Sequence, residues 1–257
     1  MIPPPAIHLD LLTAGEGFVV VNKPPRLLVH RSPRLRREAA ALQLLRDQLG
    51  VRVNPVHRLD RQTSGCLLFA TDPALTAALH AALSDPAAVK IYVCLVRGRF
   101  TADSPVCVER ALKDDRGVLQ EARSTVWCLG SSREPRCSIL KVRPATGRTH
   151  QVRRHVRGLD HPILGDANHG DTRVNRAWRQ EHGLQRCQLH CLHLSLPWGS
   201  GRLEATAPLF ADMAALWSRL PFWEAACAAE PALALEPAPI PDALHPAHPP
   251  NPPSASG

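Results

Sequence analysis

Phe18 to Val21 is a short apolar run that ends in Asn22-Lys23-Pro24-Pro25, a pattern that predicts a strand closed by a proline-enforced turn. Glu38 to Leu49 carries Leu42, Leu45 and Leu49 on one stripe at helical spacing, with Gly50 placed to stop the helix. The continuous apolar run Cys66 to Ala70 reads as a buried strand. Asp72-Pro73 then supplies an N-cap and a first-position proline, and Leu75, Leu79 and Leu83 face inward until Ser84-Asp85-Pro86 ends that helix. Lys90 to Val96 alternates, with Ile91, Val93 and Leu95 on one face and Lys90, Tyr92 and Cys94 on the other. Residues 103–143 read as shorter strands and turns. Thr149 to Arg157 returns to helical spacing, with Val152, Val156 and Leu159 on one side and His150, Arg153, Arg154 and Arg157 on the other. Leu189 to Leu196 alternates again, as a strand does. The pattern contains no internal repeat. It fades near Glu230: residues 231–257 hold nine prolines and no aromatic or basic residue, too little apolar surface to offset ordering. Sequence therefore predicts one strand-rich α/β domain over 1–229 and a disordered Pro/Ala-rich tail over 230–257.

Charge sharpens this picture. The chain of 257 residues carries a formal +8, but no Lys or Arg follows Arg219, so residues 1–219 hold 31 basic groups against 19 acidic ones. Such a body attracts polyanions, of which nucleic acid is the commonest large one. Arg153, Arg154 and Arg157 have no acidic partner four residues on, which makes an RNA backbone a suitable counter-charge. The eight cysteines sit largely inside apolar runs and show no disulfide framework. The start of the chain lacks a basic segment followed by an apolar one, and no apolar run approaches a membrane span, so a reduced cytoplasm is expected. Cys187, His190, Cys191 and His193 invite a zinc reading, but their spacing is irregular for a structural site and no metal is expected.

The candidate chemistry gathers in His57-Arg58-Leu59-Asp60-Arg61-Gln62-Thr63-Ser64-Gly65. Asp60 lies in a tight polar turn crowded by His57, Arg58 and Arg61, just before the buried strand. Nearby positive charge favours the charged form of a carboxylate, so an acid in this setting serves as an anionic nucleophile or as an anchoring ion pair. From the residues alone both roles stand. A glycosidase would want a second carboxylate flanking the bond, and the turn offers one acid among cations.

That turn, followed by its aliphatic strand, resembles the signature of the RluA-type pseudouridine synthases. Val20-Val21-Asn22-Lys23-Pro24 with Leu28-Val29-His30 resembles their first motif, and Lys90-Ile91-Tyr92 their Lys-x-Tyr element. Gly147-Arg148-Thr149-His150-Gln151-Val152-Arg153, then His161-Pro162-Ile163-Leu164-Gly165-Asp166, resembles the third. The resemblance covers roughly residues 15–210. It implies a mixed α/β (α+β) fold, a largely antiparallel sheet around a central cleft with flanking helices and loops. It implies an isomerase that needs no cofactor, breaks the bond between uracil N1 and ribose, and rejoins the base through C5. Asp60 would be the attacking carboxylate. Tyr92, the only tyrosine in the chain, would stack on the base and help remove the C5 proton. Arg148 would pair with Asp60, with Arg153 the competing choice. Arg58 would displace the target nucleotide from its stack, and His57, Lys23, Arg153 and Arg154 would contact RNA.

Leu28 to Ser32 and Gly165 to Arg176, with Gly183 to Arg186 and Leu189-His190, resemble the branch of the family that acts on position 65 of tRNA more than the ribosomal branch. No room precedes Val20 for the small S4-like RNA-binding domain of many relatives, so a compact monomer acting on tRNA is expected. An rRNA-directed synthase and a non-catalytic RNA-binding protein are the alternatives. The basic stretch His169 to Arg176 is either a tRNA contact or an ordered surface loop.

Overall fold

The computed structural model describes residues 7–31 and 38–244. Ser32 and the end of the expected tail, 245–257, lie outside those residues. Among the described residues the chain forms twelve strands and six helices. The strands are β1 (Asp10–Gly15), β2 (Phe18–Lys23), β3 (Asn54–Pro55), β4 (Ser64–Ala70), β5 (Val89–Arg97), β6 (Val106–Glu109), β7 (Leu112–Lys113), β8 (Leu119–Gln120), β9 (Arg123–Ser132), β10 (Cys137–Pro144), β11 (Leu189–Trp198) and β12 (Gly201–Thr206). The helices are α1 (Ala41–Leu49), α2 (Thr76–Ser84), α3 (Gln151–Gly158), α4 (Thr172–His182), α5 (Ala211–Trp217) and α6 (Trp223–Ala229). Among the described residues no helix is long and apolar enough to cross a membrane.

The fold is mixed α/β, as expected. Ten strands form one sheet in the order β1-β2-β4-β11-β5-β10-β9-β6, with β3 added to β4 and β12 to β11. Each pairing is antiparallel except one: β4 meets β11 in parallel, through His190 opposite Ser64 and Cys191 opposite Gly65. The two halves of the sheet join at this short contact. Gly65 makes it possible. Its φ of +108° suits glycine, and a Cβ there would stand 2.2 Å from the Cys191 carbonyl oxygen. The segments that feed β4 and β11 therefore leave the sheet side by side, with Asp60 to Thr63 on one and Gln185 to Cys187 on the other.

Each half has its own apolar core. Strands β2 and β4 pack with α1 and α2 around Leu45, Leu67, Phe69 and Leu79. The strand pair β5–β10 is covered on both faces. Ile91, Val93 and Leu95 meet α4, α5 and Trp217 on one side; Cys94, Val96 and the edge of Tyr92 meet Val152 and Val156 of α3 on the other. The alternation read in β5 is correct, but Tyr92 does not lie on an open face, because α3 arrives from a distant part of the chain.

The boundaries of α1 and α2 follow the sequence signals. Gly50 caps α1 in the left-handed region at φ 67°, and Asp72 accepts the Ala74 N–H ahead of a 3₁₀ turn that runs into α2. The expectation of disorder from residue 230 is overturned for 230–244. Leu233, Ala238 and Ile240 are buried, and Ala238 is paired with the chain around Phe210 through the Ala211 N–H to Ala238 O and Ala238 N–H to Leu209 O bonds. Its sparse apolar residues fall where α5, α6 and Phe210 leave an apolar groove. The prolines between them restrict the unfolded chain, which lowers the entropy lost on docking.

Candidate active site

Asp60 opens a tight turn in which the Thr63 N–H donates to the Asp60 carbonyl at 3.0 Å. Lys23, at the end of β2, is fully buried beneath it. Its ammonium donates to the carbonyls of Pro24, Leu27 and Arg61 at 2.7, 2.9 and 3.3 Å. Burial, followed by the nearby Arg186, holds its pKa well below the ordinary lysine value. Lys23 is thus an internal tie for the turn, and the expected RNA contact is corrected. His57 is corrected too. Its Nε2 accepts the Leu68 N–H at 3.1 Å, and burial pushes its pKa down to about 4, so it is a neutral brace against β4. Arg61 turns away from Asp60 to pair with Glu38 and to donate to the Arg26 carbonyl. Arg58 points outward and is exposed.

The cation on Asp60 comes from 93 residues away. Arg153 Nη1 donates to Asp60 Oδ2 at 2.8 Å, while Nε and Nη2 grip Asp166 in a fork at 2.7 Å each. Of the two candidates left by the sequence, Arg153 is the partner and Arg148 is not. Arg148 is exposed and donates to the Glu121 carbonyl at 3.0 Å. The local reason is where α3 begins. Gln151 is buried: its Oε1 accepts from Thr146 Oγ1 and the Arg148 N–H, and its Nε2 donates to the Arg123 carbonyl and Ser124 Oγ. That anchor fixes the first turn of α3 so that Arg153 faces inward and Arg148 stays on the approach loop. Arg154 donates to the Lys113 carbonyl of the β7–β8 hairpin, leaving its reading as an RNA contact without support from the cleft. The basic face read along α3 is therefore split, with Arg153 in the cleft and Arg157 at the surface.

Asp166 was part of a motif in the sequence but had no assigned role; in the structure it is the keystone behind Arg153. Its Oδ1 also accepts the N–H groups of Asn168 and His169 at 2.9 and 3.0 Å. Burial alone would raise its pKa, but the Arg153 fork and these N–H donors hold it below the ordinary carboxylate value. Burial would likewise lower the Arg153 pKa, yet Asp166 and Asp60 raise it, so the guanidinium stays charged. Asn175 of α4 fixes this loop, accepting the Gly165 N–H at 2.8 Å and donating to the Asp166 carbonyl at 3.0 Å. Gly165 is required because a Cβ there would stand 2.1 Å from the Arg186 carbonyl oxygen. The basic stretch His169 to Arg176 is for the most part not a loop: α4 starts at Thr172, capped by Asp171, which accepts the Arg173 and Val174 N–H groups.

These elements enclose a cleft of about 550 Å³. Its floor is Asp60, Arg153, Asp166 and His150; Arg58 and Arg179 stand at the rim on different elements. Both rim arginines are exposed, and among the described residues neither has a carboxylate within ion-pair distance. His150 Nε2 lies 3.6 Å from Asp60 Oδ1, and its Nδ1 is 3.0 Å from His169 Nε2. Tyr92 is half-buried and is not among the residues that line the cleft. Burial is the largest of several influences, Cys191 and Asp60 among them, that hold its phenol well above the ordinary tyrosine pKa. Cys187, His190, Cys191 and His193 do not converge. His190 uses its two ring nitrogens on Ser64 Oγ and the Ala207 carbonyl, and His193 Nδ1 meets Thr206 Oγ1.

Residues 17–157 match the family described as RNA pseudouridylate synthase. The chain is 38% identical over 206 residues to a tRNA pseudouridine synthase C of Pasteurella multocida, covering 72% of this chain and 84% of that one. It is 36% identical over 207 residues to the protein of the same name in Yersinia pestis, covering 73% and 80%. Its fold superposes on human RNA Pseudouridylate Synthase Domain Containing 4 with a TM-score of 0.66 at 23% identity, covering 82% of this chain and 92% of that one. The matched region carries the turn of Asp60 and the arginine that holds it, and on these grounds the chain belongs to the RNA pseudouridylate synthase family.

Proposed function

We propose that this protein isomerises a uridine of tRNA, at position 65, to pseudouridine, with Asp60 as the attacking carboxylate. The single observation behind this reading is Asp60 at the floor of a basic cleft, held by Arg153, which Asp166 holds in turn. The names of the relatives support tRNA as the substrate.

A stacked base cannot be attacked at its sugar or ring, so the target nucleotide must leave the stack and enter the cleft. The cleft volume falls within the range of about 300–1,000 Å³ usual for small-molecule sites. Arg58, exposed at the rim, is positioned to occupy the space the nucleotide leaves and to meet backbone phosphate. Asp60 then bonds either to ribose C1′, releasing uracil from N1, or to C6 of the ring. Arg153 fixes the direction of the carboxylate and stays charged throughout, while Asp166 prevents the guanidinium from closing fully over Asp60. After the base turns, C5 joins C1′, Asp60 is released, one proton leaves C5 and one arrives at N1. The sum is an isomerisation, in which no redox or nucleotide co-reactant is consumed.

The test is pseudouridine mapping after incubation with purified tRNA and with rRNA fragments. Conversion at tRNA position 65 is expected; conversion of rRNA alone would reassign the substrate. Asp60→Asn is expected to reduce turnover below detection with tRNA affinity close to wild type. Wild-type turnover by that variant would end the reading.

A further inference from the structure

Completion of the proposed reaction needs a base for the C5 proton, and His150 lines the cleft whereas Tyr92, the residue the resemblance offers, is not among its lining residues. This inference rests on the reading above. We propose that His150 takes the proton from C5 and returns it to N1, with His169 orienting its ring.

Three features of the structure point to His150. Its Nε2 faces the cleft 3.6 Å from Asp60 Oδ1, too far for a hydrogen bond, so the nitrogen is not committed to the carboxylate. Its Nδ1 is 3.0 Å from His169 Nε2, which fixes the ring and, with the proton on Nδ1, leaves a bare lone pair on the cleft side. Its backbone is left-handed, at φ 54° and ψ 27°, directly before α3, a conformation that costs free energy for a residue with a side chain and that aims this one into the site.

The groups facing His150 are Asp60 and Arg58 from the turn, Arg153 from α3, and Asp166 and His169 from the following loop. Burial is the largest influence and lowers its pKa; the two carboxylates oppose that and the two arginines reinforce it. The ring is therefore neutral at pH 7 and able to accept. When C5 has joined C1′, the base carries a proton on C5 and a double bond between N1 and C6. Nε2 takes that proton, the C–H pair forms the C5–C6 double bond, and the displaced pair moves to N1. The imidazolium then gives its proton to N1. No external acid or base is consumed.

The experiment compares wild type, His150→Gln and His169→Gln on tRNA carrying uridine or 5-deuterouridine at the target. For His150→Gln, kcat is expected to fall about a hundredfold with KM little changed, and the C5 deuterium isotope effect to rise, because proton removal becomes limiting. Wild-type activity is expected to fall as pH drops through the lowered His150 value; in His169→Gln that acid limb is expected to shift. A His150→Gln enzyme with wild-type kcat and isotope effect overturns the proposal. Should that variant lose its fold or its tRNA affinity, an unmoved acid limb in His169→Gln overturns it instead. Turnover by Asp60→Asn would strike at the parent reading, whereas a dead Asp60→Asn beside an unaffected His150→Gln would strike at His150 alone.

Discussion

At the residue scale the decisive side chain is Arg153, one guanidinium shared by two carboxylates. Asp166 is wholly buried, so removing its partner leaves a charge without compensation. Breaking a buried pair from one side costs about 3–5 kcal/mol, and Arg153→Ala is expected to show a loss of that order in urea unfolding together with loss of turnover. Arg153→Lys keeps the charge but cannot reach Asp60 while gripping both oxygens of Asp166, so it is expected to recover stability in part and turnover hardly at all. Arg148→Ala removes an exposed contact to the Glu121 carbonyl and is expected to stay near wild type at saturating tRNA. Equal losses from the two substitutions would contradict the assignment. The motif places both arginines within seven residues, but their chemistry is identical on paper. Only the buried amide of Gln151, which sets the phase of α3, separates them.

At the element scale the turn and the strand after it carry the site, and both were legible. A stretch at 57–63 that is polar apart from Leu59, followed by seven buried residues, is what a turn entering a central strand requires. Gly65 was legible as part of the motif, though its reason was not: it lets β4 approach the backbone of β11 at the one parallel contact. Gly65→Ala is expected to cost at least about 1–3 kcal/mol from the strained φ alone, before the clash with the Cys191 carbonyl is relieved. Guanidinium or urea titration should show a lower midpoint and, since the site sits beside this contact, weaker turnover in the folded protein. An unchanged midpoint would mean that the two strands separate more easily than the register implies. By contrast, the order at 230–244 was not legible. Its prolines and missing aromatic residues resemble a linker when no groove is in view.

At the scale of the whole molecule, two histidines, His57 half-buried and His190 buried, brace the sheet around the joint between its halves. His57 braces the turn against β4, and His190 links Ser64 of β4 to the Ala207 carbonyl after β12. Burial is the largest cause of lowered pKa in both, to about 4 for His57 and about 3 for His190. The unfolded chain binds these protons near pH 6.5 and the folded one refuses them, so their contribution is fully present above about 6.5. It is lost progressively as pH falls towards 4 for His57 and towards 3 for His190. Thermal unfolding from pH 7.5 down to 3 is expected to show Tm declining from the histidine range onward, ahead of carboxylate titration. A flat Tm down to pH 5 would contradict the burial of these rings in neutral form.

Sequence by itself determined the strands and helices with strong periodicity, the basic body, and the turn that holds Asp60, because each depends on neighbours a few residues apart. The tertiary structure alone decided which arginine meets Asp60, that Lys23 is buried and His57 braces β4, that His150 and Asp166 line the same cleft, and that the chain up to Leu244 docks. Those outcomes depend on burial and on partners tens to hundreds of residues away. A charged or aromatic side chain has no fixed role until the fold sets its dielectric surroundings and its distance from the next charge.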